Sequence, residues 1–364
     1  MGDVTVFATD WQLSRKGGRR EGRLPLAFSK IALCPPSRKL RFVKNSGPVA
    51  IIGAGLSGLS CAQALRAAGV EVRVFERASA VGGRCATRLW QGHLVDLGVQ
   101  YFTAQTNEFK KELLTRLRQF RPIISPILDQ NENVVSAETG PRFYVLQGNN
   151  YFAHVLSLGL DLRLNTAVET VRPSSGGLEC LGETYRAVVS ALPGPLTARL
   201  FDLPFAPTDY VPCLVGLFEY AGTGIGSARH CYARLLPEGR EPIFSSYCEN
   251  NKVGRIVGDK TVFVVLAAPR FSREHAASPP EKYLPLLARE NEALWQVPAE
   301  KATASFGHLW VHARPQDDHR HRVDLPPGAF LCGDSRAEST VENVWLDGVQ
   351  AAKQVLSYLA EVGG

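Results

Sequence analysis

Gly53, Gly55 and Gly58 stand at G-x-G-x-x-G spacing, and Glu76 follows about twenty residues on. Residues of these types hold a ligand rather than break a bond. Gly53 allows a tight turn, Gly55 lets backbone approach a pyrophosphate, and Gly58 lets a helix lie close to a strand. Leu56 and Ser57 sit where a helix begins, so backbone N–H groups and a positive dipole end face an anion there. Glu76 can accept both hydroxyls of a ribose. A second turn follows in Gly82-Gly83-Arg84, with Arg77 ahead of it and Arg84 available to pair a phosphate. A third group lies near the C-terminus: Gly333-Asp334, then Ser339-Thr340-Val341-Glu342, which reads as a capping box. No Ser-His-Asp order, H-E-x-x-H, P-loop or C-x-x-C spacing competes, so no metal site is expected.

These residues need elements to hold them. Val49 to Ile52 is an apolar run sized for a buried parallel strand. Leu59, Ala62, Leu65 and Ala68 recur at helical spacing, and Gly69 is placed to end that helix. Val70 to Phe75 alternates into a second strand closed by Glu76, completing a βαβ dinucleotide-binding unit. Phe109, Leu113, Leu117 and Phe120 mark an amphipathic helix. Residues 161–171 and 185–193 read as further strands. Runs at Leu214–Tyr220, Ile243–Tyr247, Thr261–Ala267 and Ala304–Val311 predict a largely antiparallel sheet, crossed by a helix over Glu281–Trp295 that Pro285 disturbs. Val341, Trp345, Gly348, Ala352, Val355 and Leu359 line one face of a terminal helix.

The acid followed by a second glycine turn, E-x5-G-G-R, resembles the flavin amine oxidase superfamily, and this likeness favours FAD over NAD. The stretch from Asp96 through Gly98, Gln100 and Tyr101 resembles that superfamily's D-x-G-x-Q/H segment beneath the flavin ring. By the same likeness, Val168 would contact the adenine through its backbone. Gly333-Asp334 would meet the ribityl or pyrophosphate region, and Val341 would begin a helix aimed at the flavin N1–C2=O edge. Three second-domain stretches resemble renalase and its bacterial relatives more closely: Gly216–Gly222, Glu249–Arg255 and Trp310–Pro315. That likeness spans roughly residues 47–364. It implies an FAD-dependent oxidase with non-covalent flavin and O2 as reoxidant, taking hydride onto flavin N5 from a small molecule. A dihydronicotinamide isomer, such as a reduced nicotinamide dinucleotide, and an amine are both open as substrates. Tyr101, Trp310, His312 and Trp345 are pocket candidates, each with a packing role as the alternative. A flavin-binding scaffold or sensor without turnover, or a desaturase-type flavoenzyme, also remains open, since every strong motif binds and none reacts.

The expected fold class is α/β: a discontinuous Rossmann-like FAD-binding domain over 47–103, 155–200 and 322–364. A substrate domain over 104–154 and 201–321 would be inserted into it, containing a mainly antiparallel sheet. The net charge of +6 misleads, because residues 1–47 hold ten Lys or Arg and only three Asp or Glu. The rest is near neutral, without the footprint of a nucleic-acid binder. Residues 1–46 read as a disordered basic extension, with an organelle transit peptide or an over-extended start as alternatives. Eight scattered cysteines suit a reducing compartment, and a cytoplasmic setting follows unless the extension is a transit peptide into a plastid or mitochondrion. No membrane span is expected.

Overall fold

The computed structural model describes residues 47–117, 119–135, 140–237, 239–297, 302–320 and 323–363, the last four of residues 302–320 by backbone alone. The basic extension, with the readings made of it, lies outside the described residues. In chain order the first part runs β1 (Val49–Ile52), α1 (Leu56–Ala67), β2 (Val72–Phe75), β3 (Thr87–Trp90), β4 (His93–Asp96) and α2 (Asn107–Arg116). Next come β5 (Phe120–Pro122), β6 (Ile127–Leu128), β7 (Phe143–Val145), α3 (Tyr151–Ser157), β8 (Asp161–Arg163), β9 (Arg172–Ser174), β10 (Gly177–Cys180) and β11 (Glu183–Tyr185). The centre holds β12 (Ala187–Ser190), α4 (Gly194–Phe201), β13 (Thr208–Ala221), β14 (Ala233–Leu235), β15 (Ile243–Cys248) and β16 (Lys260–Ala267). The chain closes with α5 (Pro269–His275), α6 (Pro280–Trp295), β17 (Ala304–Arg320), β18 (Ala329–Leu331) and α7 (Val341–Val362).

A parallel sheet of order β18-β12-β1-β2-β8 anchors the first half. Its central strand β1 is buried on both faces, as its unbroken apolar run requires. The chain leaves β1 for β2 on one side and returns to β12 on the other. The crevice beyond the carboxyl ends of β1 and β12 is therefore a topological switch point, where ligands bind in open α/β sheets. Helix α1 covers one face and packs on α7, with Ser60 Oγ donating to the Trp345 carbonyl at 2.9 Å.

The second half is a six-stranded sheet of order β17-β13-β16-β15-β14-β6, antiparallel except where β14 meets β6. Alternation along β13 divides its side chains. Leu214, Phe218 and Tyr220 face a core with Leu284, Leu287 and Trp295 of α6. Val215 and Leu217 face the other way, toward Trp90, Val95 and Leu97 around the β3–β4 hairpin. Register shifts between Thr208 and Tyr210, and between Val211 and Cys213, re-aim the start of β13.

Several local expectations change. The run over 161–171 is a strand only to Arg163, because the chain then turns back on Glu76 through Thr166 N–H to the Glu76 carbonyl. Helix α2 stops at Arg116, and Phe120 begins β5 instead of continuing the apolar face. Residues 185–193 divide between β11 and β12. Pro285 does not interrupt α6, which runs through it on its exposed side. No helix among the described residues is long and apolar enough to cross a membrane.

Candidate cofactor and substrate cavity

The turn after β1 has the geometry its glycines imply. Gly53 sits at φ +104°, a left-handed conformation that favours glycine. A Cβ on Gly58 would lie 2.1 Å from the Gly53 carbonyl oxygen, so helix and strand approach only because it has none. A Cβ on Gly55 would meet nothing within 4 Å; this residue borders open space. Gly55 is also the N-cap of α1, with no side-chain cap and no acid in the first turn. Backbone donors and a positive dipole end are thus left to the cavity. The Glu76 carboxylate is fixed by two backbone donors, Ala54 N–H at 2.9 Å and Ala78 N–H at 2.9 Å. A carboxylate has about four acceptor sites, so two remain. Gly82 and Gly83 take φ of +112° and +53°, and Gly82 N–H donates to the Ala54 carbonyl at 2.9 Å, locking the second turn onto the first.

Arg84 meets a protein partner. It holds Asp334 by two hydrogen bonds, at 2.5 and 2.8 Å, and donates to the Ala313 carbonyl at 3.2 Å. Asp334 also accepts from Tyr210 Oη at 2.7 Å and Ser339 Oγ at 3.0 Å, which fills its carboxylate. Burial pushes this carboxyl up, but Arg84, Tyr210 and Ser339 together hold it below the usual range. The network joins the second glycine turn, the Gly333-Asp334 turn and two strands of the large sheet.

The terminal helix is capped differently from its S-x-x-E pattern. Thr340 is the N-cap and accepts from Asn343 N–H at 3.2 Å. Ser339 is occupied by Asp334, and Glu342 reaches away from its own helix to accept Gln105 and Thr106 N–H, both at 2.7 Å. Local spacing was satisfied, but a tertiary partner took each side chain.

One cavity of about 980 Å³ unites these turns with the large sheet, at the upper end of ordinary ligand sites. Gly53, Gly55, Leu56, Ser57, Glu76, Arg77, Gly83, Arg84, Gly98, Val168, Gly333, Asp334 and Val341 all line it. Gly58, Gln100 and Tyr101 do not. Gly58 serves packing; Gln100 is buried and donates to the Asp96 carbonyl at 2.6 Å; Tyr101 packs on Tyr232 and Tyr247. Of the pocket candidates, Trp310 and His312 border the cavity. Trp310 is pinned by its indole N–H donating to the Leu97 carbonyl at 3.1 Å. Trp345 is elsewhere, buried against Phe109 with ring centroids 5.6 Å apart. Burial holds the His312 imidazole below its usual value, and Arg199, Arg77 and Arg84 add to the effect.

Tyr210, Cys213, Phe244 and His308, none of them a candidate by sequence, complete this network and wall, and Arg314 joins them from the Trp310–Pro315 stretch. The W-x-H-x-R-P stretch already carries Arg314; nothing local marks the others. Glu249 to Arg255, polar in sequence and singled out by resemblance, turns its charges inward. Lys252 and Arg255 are in fact fully buried, each 2.9 Å from Asp96 Oδ2, and Glu249 lies 2.7 Å from Lys252 Nζ. Asp96 Oδ1 accepts from Thr87 Oγ1 at 2.6 Å and Asn149 N–H at 3.0 Å.

Residues 51–117 match the NAD(P)-binding Rossmann-like domain family. The chain is similar in structure to a candidate protoporphyrinogen oxidase from Exiguobacterium sp. 255-15, at 13% identity and a TM-score of 0.62, covering 87% of this chain and 99% of that one. It is similar to wild-type putrescine oxidase bound to putrescine, at 14% identity and a TM-score of 0.59, covering 86% and 99%. It is also similar to reduced UDP-galactopyranose mutase, at 10% identity and a TM-score of 0.68, covering 88% and 99%. At such identities the shared property is the fold, an α/β architecture with a Rossmann-like dinucleotide-binding unit.

Proposed function

We propose that this protein is an FAD-dependent oxidoreductase of the flavin amine oxidase type, renalase-like, acting on a small reduced substrate. The observation that carries the reading is convergence: three glycine-bearing turns, far apart in sequence, line one cavity at the switch point. The local chemistry fits a dinucleotide. Glu76 keeps free acceptor sites for a ribose, and the uncapped start of α1 offers N–H groups for a pyrophosphate. Residues 47–103, 155–200 and 322–364 would make up the cofactor domain, and the large sheet would contribute the substrate wall.

Bound FAD would supply the hydride acceptor, and O2 taking the two electrons would leave as hydrogen peroxide. The chain's own part is to bind, orient and exclude water. Trp310, Leu309, Leu266 and Phe244 present apolar surface to the substrate half. The N-terminus of α7, beginning at Val341, brings a positive dipole end to the cavity and favours negative charge there. Burial pushes the Cys85 and Cys213 thiols, both in the wall, up to about 12. A raised thiol is a poor nucleophile, in keeping with non-covalent flavin.

The test is spectroscopic. Purified protein is expected to be yellow and to release all its flavin in acid. Anaerobic mixing with isomeric dihydronicotinamides, primary amines and polyamines should bleach the flavin with one class. Folded protein without flavin absorbance overturns the reading. Flavin that dithionite reduces but no panel member bleaches favours a binding protein without turnover.

A further inference from the structure

We propose that the substrate half of the cavity selects a planar molecule carrying an oxyanion, read by Arg314, and rejects alkylammonium compounds. This deepens the oxidoreductase reading and rests on it. Along β17, each residue from His308 to Arg314 borders the cavity, Trp310, His312 and Arg314 among them, and Arg314 stands opposite Val211 of β13 in the ladder. The Arg314 guanidinium carbon lies 5.7 Å from the centroid of Phe244, which also lines the cavity. Stacking leaves the planar fork of donors free for a carboxylate or phosphate.

Charge on the walls points the same way. Arg77, Arg199 and Arg314 all line the cavity, and among the described residues none has a carboxylate partner. Three carboxylates line it too. Asp334 is filled by Arg84, Tyr210 and Ser339. Glu76 is fixed by Ala54 and Ala78 at the first glycine turn. Glu169 follows Val168, between β8 and β9. The wall built from β13, β15, β16 and β17 thus holds Arg314 and two histidines, and no carboxylate among the described residues. An ammonium group there would meet the like charge of Arg314 with no carboxylate among the described residues of that wall to offset it, which is discrimination by repulsion. An oxyanion would gain a charge-assisted, two-point contact. Phe244 and Trp310 add faces for a flat ring.

Calorimetric titration of the flavin-loaded protein tests this, because bound flavin occupies the other anion-binding turns. The probes are nicotinate, its uncharged isostere nicotinamide, and benzylamine as the planar cation. Nicotinate is expected to bind at least tenfold more tightly than nicotinamide, and benzylamine more weakly than either. Arg314→Gln should weaken nicotinate about tenfold and leave nicotinamide unchanged, and Arg314→Lys should restore part of the loss. Equal or tighter binding of nicotinamide or benzylamine overturns the proposal, as does the absence of binding by all three. A nicotinate loss seen in Arg199→Gln but not in Arg314→Gln overturns the assignment to Arg314. Protein that folds without flavin fails the cofactor reading instead, and its colour reports that separately.

Discussion

Glu76 and Asp334 are both acids beside glycine turns, yet their free valences differ. Glu76 spends two acceptor sites on Ala54 and Ala78 and keeps the rest. Glu76→Ala should therefore weaken flavin binding by about 1–3 kcal/mol, the scale of lost charge-assisted hydrogen bonds, read from the dissociation constant of apoprotein with FAD. Asp334 has none to spare, so its role is to hold Arg84 and Tyr210. Asp334→Asn should cost about 2–3 kcal/mol of stability by weakening two ionic hydrogen bonds, measured by urea unfolding. The pH dependence follows from the same residue. Its folded carboxyl titrates below the unfolded value of about 3.9, so its stabilisation is complete above that pH and drains as pH falls through the folded value. Melting temperatures between about pH 5 and pH 2 should fall less steeply in Asp334→Asn than in the parent. Trp345 offers the opposite case. Because it packs on Phe109 away from the cavity, Trp345→Ala should cost about 3–5 kcal/mol of stability and leave the rate of flavin reduction unchanged.

At the scale of elements, the crossing of α1 and α7 sets where the first glycine turn points. A Cβ on Gly348 would fall 2.0 Å from Ser60 Oγ and 2.1 Å from the Ser57 carbonyl oxygen. Gly348→Ala must push the helices apart, at about 1–3 kcal/mol. Ser57 is in the first turn of α1 and lines the cavity, so the same change should also weaken flavin retention, seen as colour lost on dialysis. Strand β1 and helix α1 could be read from periodicity because each is decided within its own segment. The cap of α7 could not. Glu342 serves α2, more than two hundred residues earlier in the chain, and local spacing carries no trace of that bond.

Across the molecule, the buried group of Asp96, Glu249, Lys252 and Arg255 ties the β3–β4 hairpin to the turn after β15. Two acids and two bases balance in charge. Burial raises the Asp96 carboxyl, but Lys252 and Arg255 outweigh it and hold the group below its usual range. For Glu249 burial wins over Lys252, and the carboxyl titrates high. Lys252→Met should thus cost about 3–5 kcal/mol by stranding negative charge in the interior. Adding Glu249→Gln should recover part of that loss, because Asp96 and Arg255 still pair. A double-mutant cycle from urea midpoints checks it, and strictly additive losses would mean the residues act separately.

The sequence by itself determined a βαβ unit, two glycine turns, a Gly-Asp turn and a long terminal helix. These follow from short-range rules, namely side-chain period, φ freedom at Gly53 and Gly82, and the need of a buried strand to be apolar on both faces. Only the tertiary structure decided which partner each polar side chain found. Arg84 was open to a phosphate by spacing and is held by Asp334, while Lys252, within a polar stretch, is wholly buried. The cavity wall of Cys213, Phe244 and Arg314 likewise exists only once β17, β13, β16 and β15 assemble into one sheet. A charge's energy depends on distance and burial rather than on neighbours in the chain, and both are set when distant segments pack.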